Sequence, residues 1–215
     1  MKRENLYNNG FEINHNFAES LPDEEIKEKS VKGRDWVEWI EVLSTAIIAV
    51  VIIFCFIFRI ATIDGDSMNN TLHHNDRVVI TNFNYKPKNG DIVVISRNAA
   101  NSIENQTLGN EPIIKRVIAV GGQTVNIDFK DGGKVYVDGK ALKDDYISSP
   151  TIDNGDVEFP LYVPEGYIFV LGDNRSESLD SRFSVIGDNG LVDERYVLGR
   201  AIFRFFPLNK IGALD

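Results

Sequence analysis

The feature that most constrains this chain is the apolar run from Val42 to Phe58, broken only by Ser44 and Thr45. A bilayer crossing takes roughly 17 to 25 apolar residues in helix, so the run is long enough to span. Within it, Ile47-Ile48-Ala49-Val50-Val51-Ile52-Ile53-Phe54 leaves no polar face, unlike the core helix of a water-soluble domain. A cleavable export signal starts at the amino terminus and ends in small residues, whereas this run starts late and ends Phe56-Ile57-Phe58-Arg59. Residues 42–60 are therefore expected to form one transmembrane helix, with Trp36 and Trp39 ahead of it suited to the membrane interface. Lys27, Lys29, Lys32 and Arg34 precede the span, while Asp64 and Asp66 soon follow it, which puts the amino terminus in the cytoplasm. Residues 1–41 read as an acidic cytoplasmic tail, disordered or loosely helical, and residues 61–215 as the extracytoplasmic domain.

That domain reads as mainly β. Short apolar runs at 77–80, 91–95, 167–171 and 201–205 are each bounded by Gly, Asn, Asp or Pro, and no long amphipathic helix follows the span. Asp138-Gly139 between two short runs signals a type I′ hairpin, and Asp131-Gly132-Gly133 another turn. Residues 98–111 and 148–158 are polar and turn-rich, as long surface loops are. The net charge of −9 disfavours nucleic acid as a partner. Cys55 lies alone in the apolar run and forms no internal disulfide. The three histidines, His15, His73 and His74, are too few and too crowded for a metal cage, so no metal and no cofactor is expected.

Candidate chemistry concentrates in a few segments. Ser67 sits in the turn Asp64-Gly65-Asp66-Ser67-Met68-Asn69-Asn70-Thr71-Leu72, where it reads equally as a turn residue or as a nucleophile awaiting a base. Lys115 lies in Ile113-Ile114-Lys115-Arg116-Val117-Ile118-Ala119-Val120, and strand alternation gives it one face with Ile113, Val117 and Ala119. A free lysine titrates near about 10.4, so at neutral pH only about one in a few thousand can accept a proton. Burial among aliphatics lowers that value by up to about 3 to 5, enough for a base. Charges that guard an edge strand are the other reading of Lys115-Arg116. The loop Gly172-Asp173-Asn174-Arg175-Ser176-Glu177-Ser178-Leu179-Asp180-Ser181-Arg182 gathers acids, bases and hydroxyls, and its spacing does not fit an EF-hand calcium loop.

Taken in order, the anchor, Asp64-Gly65-Asp66-Ser67-Met68 with Thr71-Leu72, Gly90-Asp91-Ile92-Val93-Val94, Lys115-Arg116-Val117-Ile118, and the Gly172–Arg182 loop resemble the ordered boxes of bacterial type I signal peptidases. The resemblance covers nearly everything after residue 35. It implies a mainly β fold, with a single N-terminal transmembrane helix followed by an extracytoplasmic, signal-peptidase-like catalytic domain in the bacterial cell membrane. It also implies a hydrolase, a membrane-bound serine endopeptidase that removes signal peptides from exported preproteins after small residues through an acyl-enzyme. Carried over position by position, Ser67 is the nucleophile and Lys115 the base. Ser178 is then the hydroxyl bonded to the lysine amine, Asp180 and Arg182 hold the loop by ionic contact, and Met68 lies by the substrate pockets. Two positions depart from the pattern: Asn70 stands where the family usually has proline, and Gly65 where some members carry a serine that helps hold the oxyanion. The self-cleaving SOS repressors share the Ser/Lys logic but need a DNA-binding module, and the archaeal and endoplasmic-reticulum peptidases carry histidine at the position of Lys115. An anchored, catalytically impaired pseudopeptidase is the remaining alternative, and Asn70 is its support.

Overall fold

The computed structural model describes residues 23–96, 112–143 and 145–214. The expected loop 98–111 and most of the expected tail lie outside these. The chain divides into two compact units, one ending at Val51 and the other beginning at Ile52.

A single helix, α1, runs from Asp23 to Ile57. Its start corrects the expected boundary at residue 42, because residues 23–41 are already helical. The segment is rich in Glu and Lys, both strong helix formers, and carries no proline after Pro22. Trp36–Cys55 is the apolar stretch of 20 residues, about 30 Å of helix and thus about the thickness of a hydrocarbon core. Its side chains are exposed all round, from Trp36 and Trp39 through Ile47 to Phe54. The helix also ends earlier than expected, since residues 58–60 are already in a strand.

Among the described residues twelve strands follow, and they make two antiparallel sheets. The first two are β1 (Phe58–Thr62) and β2 (Arg77–Thr81), followed by β3 (Ile92–Ile95) and β4 (Ile113–Val120). Next come β5 (Thr124–Asp128), β6 (Lys134–Val137), β7 (Lys140–Ala141) and β8 (Leu161–Tyr162). The last four are β9 (Tyr167–Leu171), β10 (Val192–Asp193), β11 (Val197–Phe206) and β12 (Gly212–Ala213). The larger sheet runs β1-β2-β11-β3-β4-β9-β10, with β12 on β11, and the smaller runs β7-β6-β5-β8. The Asp138-Gly139 turn between β6 and β7 has φ of 52° and 75°, both positive as a type I′ turn requires.

Strand β4 is central to the larger sheet, with β3 on one side and β9 on the other. Both its faces are covered, so six consecutive residues from Ile114 to Ala119 are buried. The register against β9 slips between Val117 and Ala119. The strict alternation expected from the sequence therefore fails there. Ile113 and Val117 pack into one core cluster, while Ala119 joins Ile118 in another. A further cluster gathers Ile63, Met68, Leu72, Val78, Ile92 and Ile114 beside the loop that carries Ser67.

Candidate active site

The loop between β1 and β2 is closed at its base by Ile63 N–H donating to Asp76 O at 2.8 Å and Asn75 N–H to Ile63 O at 2.9 Å. Met68 and Leu72 anchor it, at 1% and 0% exposure. Ser67 stands half-buried between them and the exposed residues 64–66. Residues 67 and 115 are distant in sequence, yet Lys115 Nζ lies 2.9 Å from Ser67 Oγ. The amine donates to Ile114 O at 3.0 Å, a contact that leaves it a direction for the hydroxyl.

Lys115 is 4% exposed. Burial dominates its titration, pulling the amine down from lysine's ordinary 10.5 to about 8 against the opposing fields of Asp180 and Asp173. At neutral pH about one amine in ten is then free to accept a proton, against about one in a few thousand for a free lysine.

Arg116, the next residue on β4, braces the site from the other face. Its Nε and Nη2 donate to Asp173 Oδ1 and Oδ2 at 2.9 and 2.8 Å, and Nη1 donates to Gly90 O at 2.8 Å. Thr71, just after the nucleophile turn, donates its hydroxyl to the same Asp173 Oδ2 at 2.5 Å. Asn174 then holds the turn itself: its N–H donates to Ser67 O at 3.0 Å and its Nδ2 to Asp66 O at 3.1 Å. Sequence reading placed Asp173 and Asn174 in a chemically dense loop without a role. The alternation of β4 could have hinted at Arg116, because residues 115 and 116 must face opposite sides.

Asp180 and Arg182 pair in full burial, each side chain at 0% exposure. Nε meets Oδ1 at 2.8 Å and Nη2 meets Oδ2 at 3.0 Å. Arg182 also donates to the carbonyls of Arg175 at 2.7 Å, Ser178 at 3.0 Å and Asp153 at 3.1 Å. Asp180 Oδ2 accepts from Gly172 N–H at 3.0 Å.

One expected contact is not formed. Ser178 Oγ is buried with no hydrogen-bond partner, so the expected bond to the lysine amine is absent. Packing explains its place: a Cβ at Gly172 would come within 2.2 Å of Ser178 Oγ and 2.6 Å of Ser67 O. The hydroxyl lies against the glycine backbone. Met68, expected by the substrate pockets, lies in the core beneath the Ser67 turn, 1% exposed. The close approach at Gly172 yields a prediction. Gly172→Ala has to displace either Ser178 or the nucleophile turn, and should lower turnover by at least about 100-fold, since a misplacement near 1 Å costs that much. Steady-state kinetics against wild type measures it.

A groove of about 490 Å³ is lined by Thr62, Ile63, Asp64, Ile80, Pro112 and Ile114 among others. Its walls end three residues before Ser67 and one before Lys115. Among the described residues, no three His, Cys, Asp or Glu side chains are placed to hold a metal ion.

A β domain that sets a serine hydroxyl against a buried, partly neutral amine has the parts of a serine hydrolase. Residues 36–206 match the family described as signal peptidase, peptidase S26. The signal peptidase I of Leptolyngbya laminosa is 36% identical over 181 residues, covering 82% of this chain and 83% of that protein. The signal peptidase I of Bacillus licheniformis is 33% identical over 205 residues, covering 88% and 99%. A solved signal peptidase I from Enterococcus faecalis V583 is 28% identical, with a TM-score of 0.40 over 54% of this chain and 97% of that one. The chain belongs to the S26 signal peptidase family, a family of serine endopeptidases.

Proposed function

We propose that this chain is a single-pass membrane peptidase that cuts signal peptides from exported preproteins after small residues, with Ser67 as nucleophile and Lys115 as general base. The 2.9 Å contact between the hydroxyl and the buried amine carries the reading. Residues 61–215 form the extracytoplasmic peptidase domain, and the amino terminus is cytoplasmic, as the cations before the span favour.

The preprotein lies extended in the groove, its scissile carbonyl over Ser67. Oγ attacks the carbonyl carbon while its proton passes to Lys115 Nζ. The Ser67 N–H donates to the oxyanion that forms. Collapse breaks the C–N bond, and Lys115 returns the proton to the departing amine of the mature protein. Water then attacks the acyl carbon while giving a proton to the same amine, and as the C–Oγ bond breaks Lys115 returns that proton to Oγ, which restores Ser67 and releases the signal peptide as its acid.

Asp180 and Arg182 fix the loop that carries Ser178, and Arg116 with Asp173 ties β4 to the nucleophile turn. Ser178 packs against Gly172, where the Ser67 carbonyl also approaches. Met68 acts from below, as part of the core cluster that contains Ile63 and Ile114 of the groove wall. Those aliphatic walls favour small residues beside the cut.

The test is cleavage of a purified preprotein by the full chain in detergent, with the site residues varied. Alanine at the first and third positions before the cut should be processed. Phenylalanine at either position should lower kcat/KM by about 10- to 200-fold, the range a misfitting apolar group produces. Ser67→Ala should be inert on both. Cleavage by Ser67→Ala, or indifference to the size of those residues, would sink the proposal.

A further inference from the structure

The turn before the nucleophile is exposed and needs a hold from outside the core. Gly65 lies two residues ahead of Ser67 with φ at +86°, in the left-handed region that other residues resist. A side-chain contact joins this incoming arm of the loop to the outgoing one: Gly65 N–H donates to His74 Nδ1 at 3.3 Å. The same Nδ1 lies 3.1 Å from Asp64 Oδ1.

One ring nitrogen cannot serve both neighbours in one protonation state, because it accepts through a lone pair and donates through a proton. With Nδ1 bare, His74 takes the Gly65 N–H. With the ring protonated, Nδ1–H turns to the Asp64 carboxylate, and the Gly65 N–H is left to water. Asp64 is the charged group facing the imidazole at this contact, and Gly65 N–H is the dipole.

We infer that His74 is a positioning residue for the reaction proposed above, an inference that rests on Ser67 being the nucleophile. Uncharged, it braces the backbone just ahead of Ser67 and so sets where the Ser67 hydroxyl and N–H meet the substrate carbonyl. Charged, it exchanges that brace for Asp64. His74 does not line the groove, so its effect falls on kcat and not on KM.

The experiment compares wild type, His74→Ala, His74→Asn and Ser67→Ala in preprotein cleavage by the full chain in detergent. Asparagine is the informative substitution, since its Oδ1 stands as many bonds from Cβ as Nδ1 does and accepts without titrating. His74→Ala should lose about three- to tenfold in kcat at unchanged KM, the size of one modest hydrogen bond. His74→Asn should come back to within about twofold of wild type. On acidification, wild-type activity should fall more steeply than that of His74→Asn, because only the imidazole can take a proton and turn to Asp64. Equal kcat in wild type and His74→Ala, no rescue by asparagine, or superimposable pH profiles each overturn the inference. Cleavage by Ser67→Ala would instead overturn the assignment beneath it.

Discussion

If the proposed chemistry holds, Lys115→Met should abolish preprotein cleavage and yet leave the protein harder to unfold at neutral pH. The first effect follows from geometry. Methionine fills much of the lysine volume but accepts no proton, and among the described residues the side chain that meets Ser67 Oγ is the Lys115 amine at 2.9 Å. A positioned base is worth about 10²- to 10⁴-fold, and because base and nucleophile act as a unit the loss should reach the upper end. The wild-type rate should rise with pH and level off above about 8, where the amine is mostly neutral.

The second effect has the opposite sign. Burial lowers the folded pKa from 10.5 to about 8, so below about 8 the folded chain holds a charge that the unfolded chain carries more comfortably in water. That cost is present in full under the folded value and is relieved as pH rises toward 10.5, where the unfolded chain also becomes neutral. Its size is about 3 kcal/mol, an order of magnitude figure. Lys115→Met removes it, so the variant should unfold later than wild type at pH 7, with the gap closing as pH climbs from about 8 to about 10.5. Thermal unfolding across pH measures it. A variant that is inactive and also destabilised at pH 7 would mean that Lys115 belongs to the packing and not to a strained site.

How much of this was legible in the sequence depends on the reach of each interaction. The span was legible because a helix without a polar face is a local property, although its start was not: the Glu- and Lys-rich tail favours helix, but propensity alone does not fix the residue at which the helix begins. The strands at 77–80 and 167–171 were legible from apolar runs between turn residues, and Asp138-Gly139 from the positive φ that a I′ turn demands. Ser67 and Lys115 were each readable as bland alone, and only the order of the boxes joined them. The register slip after Val117 was invisible, since a bulge depends on the partner strand β9. The same holds for Met68, whose motif position says substrate and whose surroundings say core. Ser178 shows the finer limit. Its neighbourhood came from the motif, but whether its hydroxyl meets the amine is settled by where Gly172 and Ser67 leave room. Asp173 and Asn174 escaped assignment because their partners, Arg116, Thr71 and the Ser67 carbonyl, come from other stretches of the chain.

Asp180→Asn should damage the fold more than any exposed substitution in the molecule. Arg182 is wholly buried, and its charge is balanced at 2.8 Å by the Asp180 carboxylate. The carbonyls of Arg175, Ser178 and Asp153 supply dipoles to the guanidinium but no charge. Asparagine keeps the shape and an oxygen for Gly172 N–H, yet it leaves the guanidinium uncompensated. Breaking such a pair from one side costs about 3 to 5 kcal/mol, a large part of the total for a typical domain. The unfolding temperature should fall on the order of 10 °C.

A second consequence reaches the chemistry. Asp180 holds the proton on Lys115 and Arg182 repels it, so losing the carboxylate removes one influence and exposes the other. Both changes lower the amine further, and the pH at which activity reaches half its plateau should move below about 8. In the folded fraction the variant would then be relatively more active in mild acid than wild type, although less protein survives. Melting temperature and pH profile together decide the matter. A normal melting temperature would show that the pair does not hold the loop, and a lowered one with an unmoved pH profile would show that its field does not reach the lysine.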